Sequence, residues 1–433
     1  MSRRILLVLI ILVGPRCHGV AANEGKCDIS QATYESDMQF ENQHGPTVLR
    51  IMGSRYVDLR RALRGLNCSH VPLVAFDGLR YQTSGKADDP GIYYIVPLVA
   101  HILHLRLEAA TDLTLMVIVC LGSSIGLVGF LRTARTPTGR RIGIIGFLLI
   151  TVIELIAGDV YIMNASMAVA SVPWILYFSA RQHVGPAALL TFVLVGISSQ
   201  LADFVRAHAG TALVMFAILA LVGLYQMKPL DRVVLAAMLV AGGFTVHLFC
   251  HELYLRRNSF LDSQQVAHQL DQVHVFWHAV YLGLAYFPNP EVPAYRDEVA
   301  MAKARILRPS AVYPSAEYEE VLKKETFEIV KHKPLLLLEN LLLKCAVIIL
   351  YFGCAVNIGL YAAYVARKDI WFEIPFAAAI SFNSLFGLLV IPNPKYLLGL
   401  IGFAALYGIY SIEWAAQQFP SVHWLTKIRS RMI

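Results

Sequence analysis

Three carboxylates and three tyrosines crowd residues 76–100, FDGLRYQTSGKADDPGIYYIVPLVA: Asp77, Asp88 and Asp89 with Tyr81, Tyr93 and Tyr94. A carboxylate whose pKa is raised by partial burial can take the proton of a hydroxyl nucleophile, so the stretch holds the makings of a general base. Arg80 and Lys86 add cations for an anionic ligand. Each acid also has a structural use. Asp77, set between an apolar run and Gly78, suits a helix cap, and Asp88-Asp89-Pro90-Gly91 suits a turn.

A second acidic position stands in GDVYIMNAS, 158–166, where Asp159 ends an apolar run. An ionisable residue at membrane depth is a functional-site hypothesis; a helix cap or a headgroup-level carboxylate is the plain alternative. Glu154 sits about one helical turn deeper in the same run. The third stretch, HVFWHAVYLGLAYFPNPEVPAYRDE at 274–298, carries His274, Trp277, His278, Tyr281, Tyr286, Tyr295 and Asp297. His274 and His278 share one helix face. HxxxH is a zinc-type spacing, but the glutamate of HExxH is missing and no third ligand offers itself, so no metal is assigned and no other cofactor is called for. Imidazoles also suit phosphate. Aromatic rings among polar groups suit a sugar, and suit equally an interfacial aromatic belt. Asp77 and Asp159 are thus the catalytic candidates. Arg80, Tyr81, Lys86, Asp88, Asp89, Tyr93, His274, Trp277 and His278 are the substrate-binding ones.

The elements that must position them are membrane helices. The chain has 433 residues, 57% hydrophobic and only 15% charged, with mean hydropathy +0.56. Apolar runs of bilayer-crossing length recur, and the strict alternation of a β-barrel is missing, which makes this an all-α polytopic membrane protein. Residues 1–22 have a basic start and the apolar stretch Ile5–Val13, as in a signal peptide or a short first membrane segment. A polar loop follows over 23–111, ending in the interfacial stretch Tyr93–Leu107. Six spans are expected within 112–254, near 113–131, 142–162, 165–180, 186–205, 210–227 and 233–254. A second loop covers 255–334, three spans within 335–415 lie near 336–365, 371–391 and 396–415, and a tail covers 416–433. With the first segment this gives about ten membrane helices.

Basic residues test the layout. RTARTPTGRR at 132–141, Arg181, Lys228 with Arg232, Arg367 with Lys368 and the tail all fall on one side. That side is the cytoplasmic one, which puts both long loops on the extracytoplasmic face; Arg256 and Arg257 depart from the rule inside a long loop, where it is weak. The net charge of +7 follows from this bias, and no pattern of basic and aromatic residues suggests nucleic acid. Near the end of the second loop, EYEEVLKKETFEIVKHKP has helical spacing, and Pro334 marks the start of the next helix. Of the seven cysteines, Cys120, Cys250, Cys345 and Cys354 fall in apolar runs as packing residues, while Cys27 and Cys68 share the first loop and can pair if it faces an oxidising compartment. Asp203 with Arg206 and Glu339 with Lys344 suit either an ion path or structural pairing near span ends. No internal repeat is present, which weighs against a transporter.

The layout resembles the GT-C class of membrane glycosyltransferases, in particular the protein mannosyltransferase and aminoarabinose-transferase type. Asp77-Gly78-Leu79-Arg80-Tyr81 is similar to that class's D-E-x-R-Y, with Gly78 in place of the second acid. GIYYIVPLVAHIL resembles its interfacial segment, GDVY the acidic end of its third span, and YEEVLKKETFEIVKHKPLLLLENLLLK the helix that runs into its eighth. The resemblance implies a polyprenyl-phosphate-linked sugar as donor, a glycan, lipid or protein acceptor, and inverting transfer at the extracytoplasmic face of a bacterial inner membrane. On that pattern Asp77 takes the acceptor's proton and Asp159 orients the acceptor. His274, His278, Arg80 or Lys86 neutralise the leaving phosphate. The competing classes are a non-catalytic membrane assembly or scaffold protein, a transporter, and another lipid-linked enzyme such as a polysaccharide ligase.

Overall fold

The computed structural model describes residues 54–84, 89–266, 275–313, 315–366 and 369–419. Lys86, Asp88, His274 and Cys27 lie outside them, as does the first apolar run. Cys68 is disulfide-bonded.

The first described element, α1 (Ser54–Ser69), is polar on average but keeps Tyr56, Leu59 and Ala62 on one buried face. A two-stranded antiparallel hairpin follows, β1 (Val74–Phe76) with β2 (Tyr81–Thr83), in the register Phe76↔Tyr81. It closes at Gly78, whose φ of 103° lies in the region glycine alone adopts without strain. Sequence periodicity did not announce the strands, because three residues are too few to show alternation. Next comes α2 (Ile92–Leu103), inside the expected interfacial stretch but buried through Ile92, Tyr93, Tyr94, Val96, Pro97 and Ala100. Its entry is pinned by Gly91, whose N–H donates to Phe204 O at 2.8 Å; a Cβ there would meet the Phe204 backbone at 2.8 Å.

Among the described residues, seven helices are long and apolar enough to cross a membrane: α3 (Leu107–Thr133), α5 (Ile162–Ser179), α6 (Pro186–Val205), α8 (Pro229–Ser263), α12 (Pro334–Val356), α14 (Ile370–Leu389) and α15 (Leu398–Gln418). Among them α5 and α15 are the most buried, and the others present apolar side chains outward, as lipid-facing helices do. The chain is therefore a multi-pass membrane protein. Three expected spans differ. The expected span 142–162 forms helix α4 (Pro137–Ala157), which carries Arg140, Arg141 and Glu154 and is not among the seven. Residues 210–227 supply only α7 (Thr211–Gly223), 13 residues and about 20 Å long, too short for a bilayer core of about 30 Å. The expected span 336–365 is two helices, α12 and α13 (Ile358–Val365), broken at Asn357 with φ 57° and ψ −135°. A single Asn in an apolar run gives little warning of that break. α8 continues past residue 254 to Ser263, because its polar turns carry helical pairs such as Arg256–Glu252 at 2.8 Å.

Helix α4 (Pro137–Ala157) packs against α3 and α15. At its N-terminus Glu413 of α15 is buried and accepts the N–H groups of Arg135 and Thr136 at 2.6 and 3.1 Å, the Thr136 hydroxyl at 2.6 Å and the Gln417 amide at 2.8 Å. At its C-terminus Gly158 adopts the left-handed cap conformation and Asp159 follows.

The second loop has its own core. α9 (Phe276–Gly283), α10 (Asp297–Leu307) and α11 (Ala316–His332) enclose Tyr281, Leu282, Val292, Ala300, Ala304, Tyr318 and Leu322. Ser315 caps α11 by accepting the Tyr318 N–H, and Pro334 opens α12, as the helical spacing and the proline predict.

Candidate functional site

The site forms where α1, the start of α2, the α4–α5 turn and the α14–α15 link meet. Arg55, in the first turn of α1, donates from Nε to Asp89 Oδ2 at 2.7 Å and from Nη1 to Asp159 Oδ1 at 3.2 Å. A planar guanidinium can bridge two carboxylates in this way; an ammonium cannot do so with fixed geometry. Asp159 Oδ1 also accepts the Val160 N–H at 2.7 Å. Its Oδ2 accepts Lys395 Nζ at 2.9 Å. Lys395 is held by Asn393, whose side-chain oxygen accepts the Lys395 N–H at 3.0 Å and fixes the backbone turn.

The two acids are the most buried members of this network and Lys395 the most exposed. The side chain of Asp89 is 1% exposed, Asp159 9%, Arg55 21% and Lys395 43%. The network therefore opens to the outside at Lys395. Burial works against the Arg55 charge, but Asp89 and then Asp159 outweigh it and raise its pKa further above the usual value. Burial, reinforced by Asp89, pushes the neighbouring Tyr93 phenol up, so it stays protonated.

Aromatic residues frame the open end. The Arg206 guanidinium sits 4.7 Å from the centroid of the Tyr161 ring, and Tyr396 meets that ring edge-on at 4.8 Å. Tyr295 of the second loop lies close to Tyr396, Tyr161 and Asp297; burial first and Tyr396 next raise its pKa. Tyr161 is raised chiefly by burial, with Arg206 opposing. Neutral phenols beside two cations and a carboxylate can hold a polyhydroxylated ligand with an anionic group.

Asp89, Tyr93 and Asp159, all singled out in the sequence, are brought together. The hairpin residues are not part of this network. Asp77 is buried, but its Oδ1 accepts the N–H groups of Leu79 and Arg80, each at 2.9 Å, and its Oδ2 lies 3.7 Å from Arg80 Nε. Those contacts close its own turn, a hairpin in place of the expected helix cap. Tyr81 packs edge-on against Phe260 of α8 at 5.1 Å, and the Arg80 side chain is 77% exposed. Trp277 packs between Phe276 at 5.2 Å and Phe327 at 5.3 Å, and Leu336 and Leu337 at the start of α12 join the same cluster, the arrangement of an aromatic belt. His278 is buried, with Nδ1 2.6 Å from the Tyr318 hydroxyl and Nε2 3.2 Å from Asp297 Oδ1. Through Asp297 and Tyr295 it borders the site without entering the charge network.

Asp203 Oδ1 accepts the Gly210 N–H at 2.7 Å, and buried Lys344 donates to Leu388 O at 2.9 Å, so both intramembrane charges hold backbone turns. Among the described residues no three His, Cys, Asp or Glu side chains group as metal ligands. Arg55, Lys395, Tyr161 and Tyr396 are functional candidates that the sequence did not mark, and Arg206 was marked only as a partner of Asp203. Lys395 had one signal, a lone cation after Asn-Pro in an otherwise apolar stretch; Arg55 had none, since SRYVDLRR offers several equivalent arginines. No protein-family model, no curated protein and no solved structure matches the chain.

Proposed function

We propose that this protein is an integral-membrane glycosyltransferase that moves a sugar from a polyprenyl-phosphate donor to a hydroxyl acceptor at the extracytoplasmic face, with inversion. The observation that carries this reading is the paired, buried Asp89 and Asp159 bridged by Arg55 and opening at Lys395. A carboxylate, two cations and phenols at one mouth match a ligand that joins a sugar to a phosphate.

On this reading the acceptor oxygen attacks the anomeric carbon from the face opposite the phosphate. The bond from that carbon to the phosphate oxygen breaks, and its electron pair leaves with the phosphate. Asp159 Oδ2 takes the acceptor proton, and Lys395 with Arg206 meets the growing phosphate charge by charge-assisted hydrogen bonds. The sugar passes through an oxocarbenium-like transition state, against which the neighbouring carboxylates are favourable. Asp89 holds Arg55, and Arg55 holds Asp159 in position. Asp77 keeps the turn of the hairpin. The positive-inside bias supports the extracytoplasmic side, and the lipid-facing helices give a prenyl chain direct access.

The test is lipid analysis of a strain lacking the protein. An accumulated polyprenyl-phosphate sugar, cleared by the wild-type chain and not by Asp159→Asn, is the expected result. An unchanged lipid pool in the deletion strain would remove the donor class and return the chain to the scaffold reading.

A further inference from the structure

The four charges of the site neutralise one another: Asp89 and Asp159 against Arg55 and Lys395. An anionic ligand thus meets a site whose cations are already engaged. The four are not equally fixed. Arg55 is doubly bonded and mostly buried, and Asp89 is almost wholly buried. Lys395 has one side-chain hydrogen bond, to Asp159 Oδ2, and is the most exposed of the four. Its backbone is anchored by Asn393, while its four-carbon stem stays free to swing. Asp159 Oδ1 remains held by Arg55 and Val160 whether or not Lys395 stays.

We infer that Lys395 is an exchangeable counter-ion: it covers Asp159 Oδ2 and transfers to the phosphate of an arriving prenyl-phosphate ligand, which uncovers Oδ2 for the acceptor hydroxyl. Lys395 is then a positioning residue with two successive partners. Donor binding precedes exposure of the base, so the base stays masked until the sugar to be transferred is in place. The inference rests on the glycosyltransferase reading and adds an order of events to it. No covalent bond changes in the exchange; one ion pair replaces another.

The exchange makes a prediction opposite in sign to that of a structural salt bridge. If Asp159 and the phosphate compete for Lys395, removing Asp159 strengthens phosphate binding. The experiment measures binding of farnesyl phosphate to the purified full-length protein in detergent, for wild type, Asp159→Asn, Lys395→Met and the double variant. Farnesol and inorganic phosphate serve as controls, and melting temperatures report folding. Asp159→Asn should tighten farnesyl phosphate about three- to tenfold, and Lys395→Met should weaken it by a similar factor. In the Lys395→Met background the gain from Asp159→Asn should shrink to less than about half, because only the loss of a negative charge remains. Farnesol should respond to neither change, and inorganic phosphate should bind too weakly to saturate. Wild-type binding with no gain in Asp159→Asn, or with an equal gain in both backgrounds, overturns the exchange and leaves the glycosyltransferase reading standing. Equal saturation by inorganic phosphate would show a free-anion site and overturn the lipid assignment. No farnesyl phosphate binding by the folded wild type would remove the donor class and the exchange together.

Discussion

Two buried carboxylates mark the two ends of α4, and their partners differ in kind. Glu413, at the N-terminus, is held by backbone N–H groups, a threonine hydroxyl and a glutamine amide, all neutral. The helix N-terminus adds a favourable dipole. Asp159, past the C-terminus, is held by two cationic side chains from segments 104 and 236 residues away. Both residues are shielded, Glu413 at 2% exposure as a whole residue and Asp159 at 6%. Burial alone therefore does not separate a structural acid from a functional one. Partner type does: fixed neutral donors fasten a turn, whereas long cations at an open edge can be traded for a ligand.

The sharpest way to break this contrast is to neutralise each acid in turn. Asp159→Asn should lower transfer by about 100-fold or more with little change in melting temperature. Retained transfer would leave Asp159 no more catalytic than Glu413. Arg55→Lys should come next, with activity down roughly tenfold or more, because one ammonium cannot hold both Asp89 and Asp159; steady-state kinetics should show the loss mainly in kcat. Glu413→Ala should act the other way round. It leaves buried donors without an acceptor and should cost about 2–3 kcal/mol in thermal or denaturant unfolding, with activity per folded molecule unchanged. The smallest effect belongs to Asp77→Asn, which keeps an acceptor oxygen for the Leu79 and Arg80 N–H groups; activity should stay within about twofold. A full loss there would move the proton-accepting role to the hairpin and place the Asp159 network beside Glu413 as structure.

Much of this architecture is legible in the sequence. Hydropathy marks most of the membrane helices, and helical spacing with Pro334 marks α11 and the start of α12 because periodicity and prolines act locally. Asp159 stands out because a charge at the end of an apolar run is costly to place there. What could not be read is pairing at a distance. Arg55 looks like its neighbours Arg60 and Arg61, and only the folded chain shows that it reaches two carboxylates. Asp77 carried the more suggestive motif and proved to be occupied by its own turn, since an aspartate before glycine serves a tight turn as readily as a proton transfer. Asp89 looked like part of a turn and stands in the network, because Gly91 packs the start of α2 against Phe204 beside the site.

The length of α8 has a consequence of its own. At 35 residues it is about 52 Å long, well beyond a bilayer core of about 30 Å, and the hairpin leans on its far part through Tyr81 and Phe260. The helix acts as a ruler with an angular scale. Deleting one residue between Cys250 and Phe260 lowers the tip by only about 1.5 Å but turns Phe260 by about 100°, away from Tyr81. Deleting seven lowers it by about 10 Å and nearly restores the facing. The hairpin should therefore tolerate changes in the height of its support by whole pairs of turns and reject single steps, a phase rule that the overhang imposes on any insertion or deletion there.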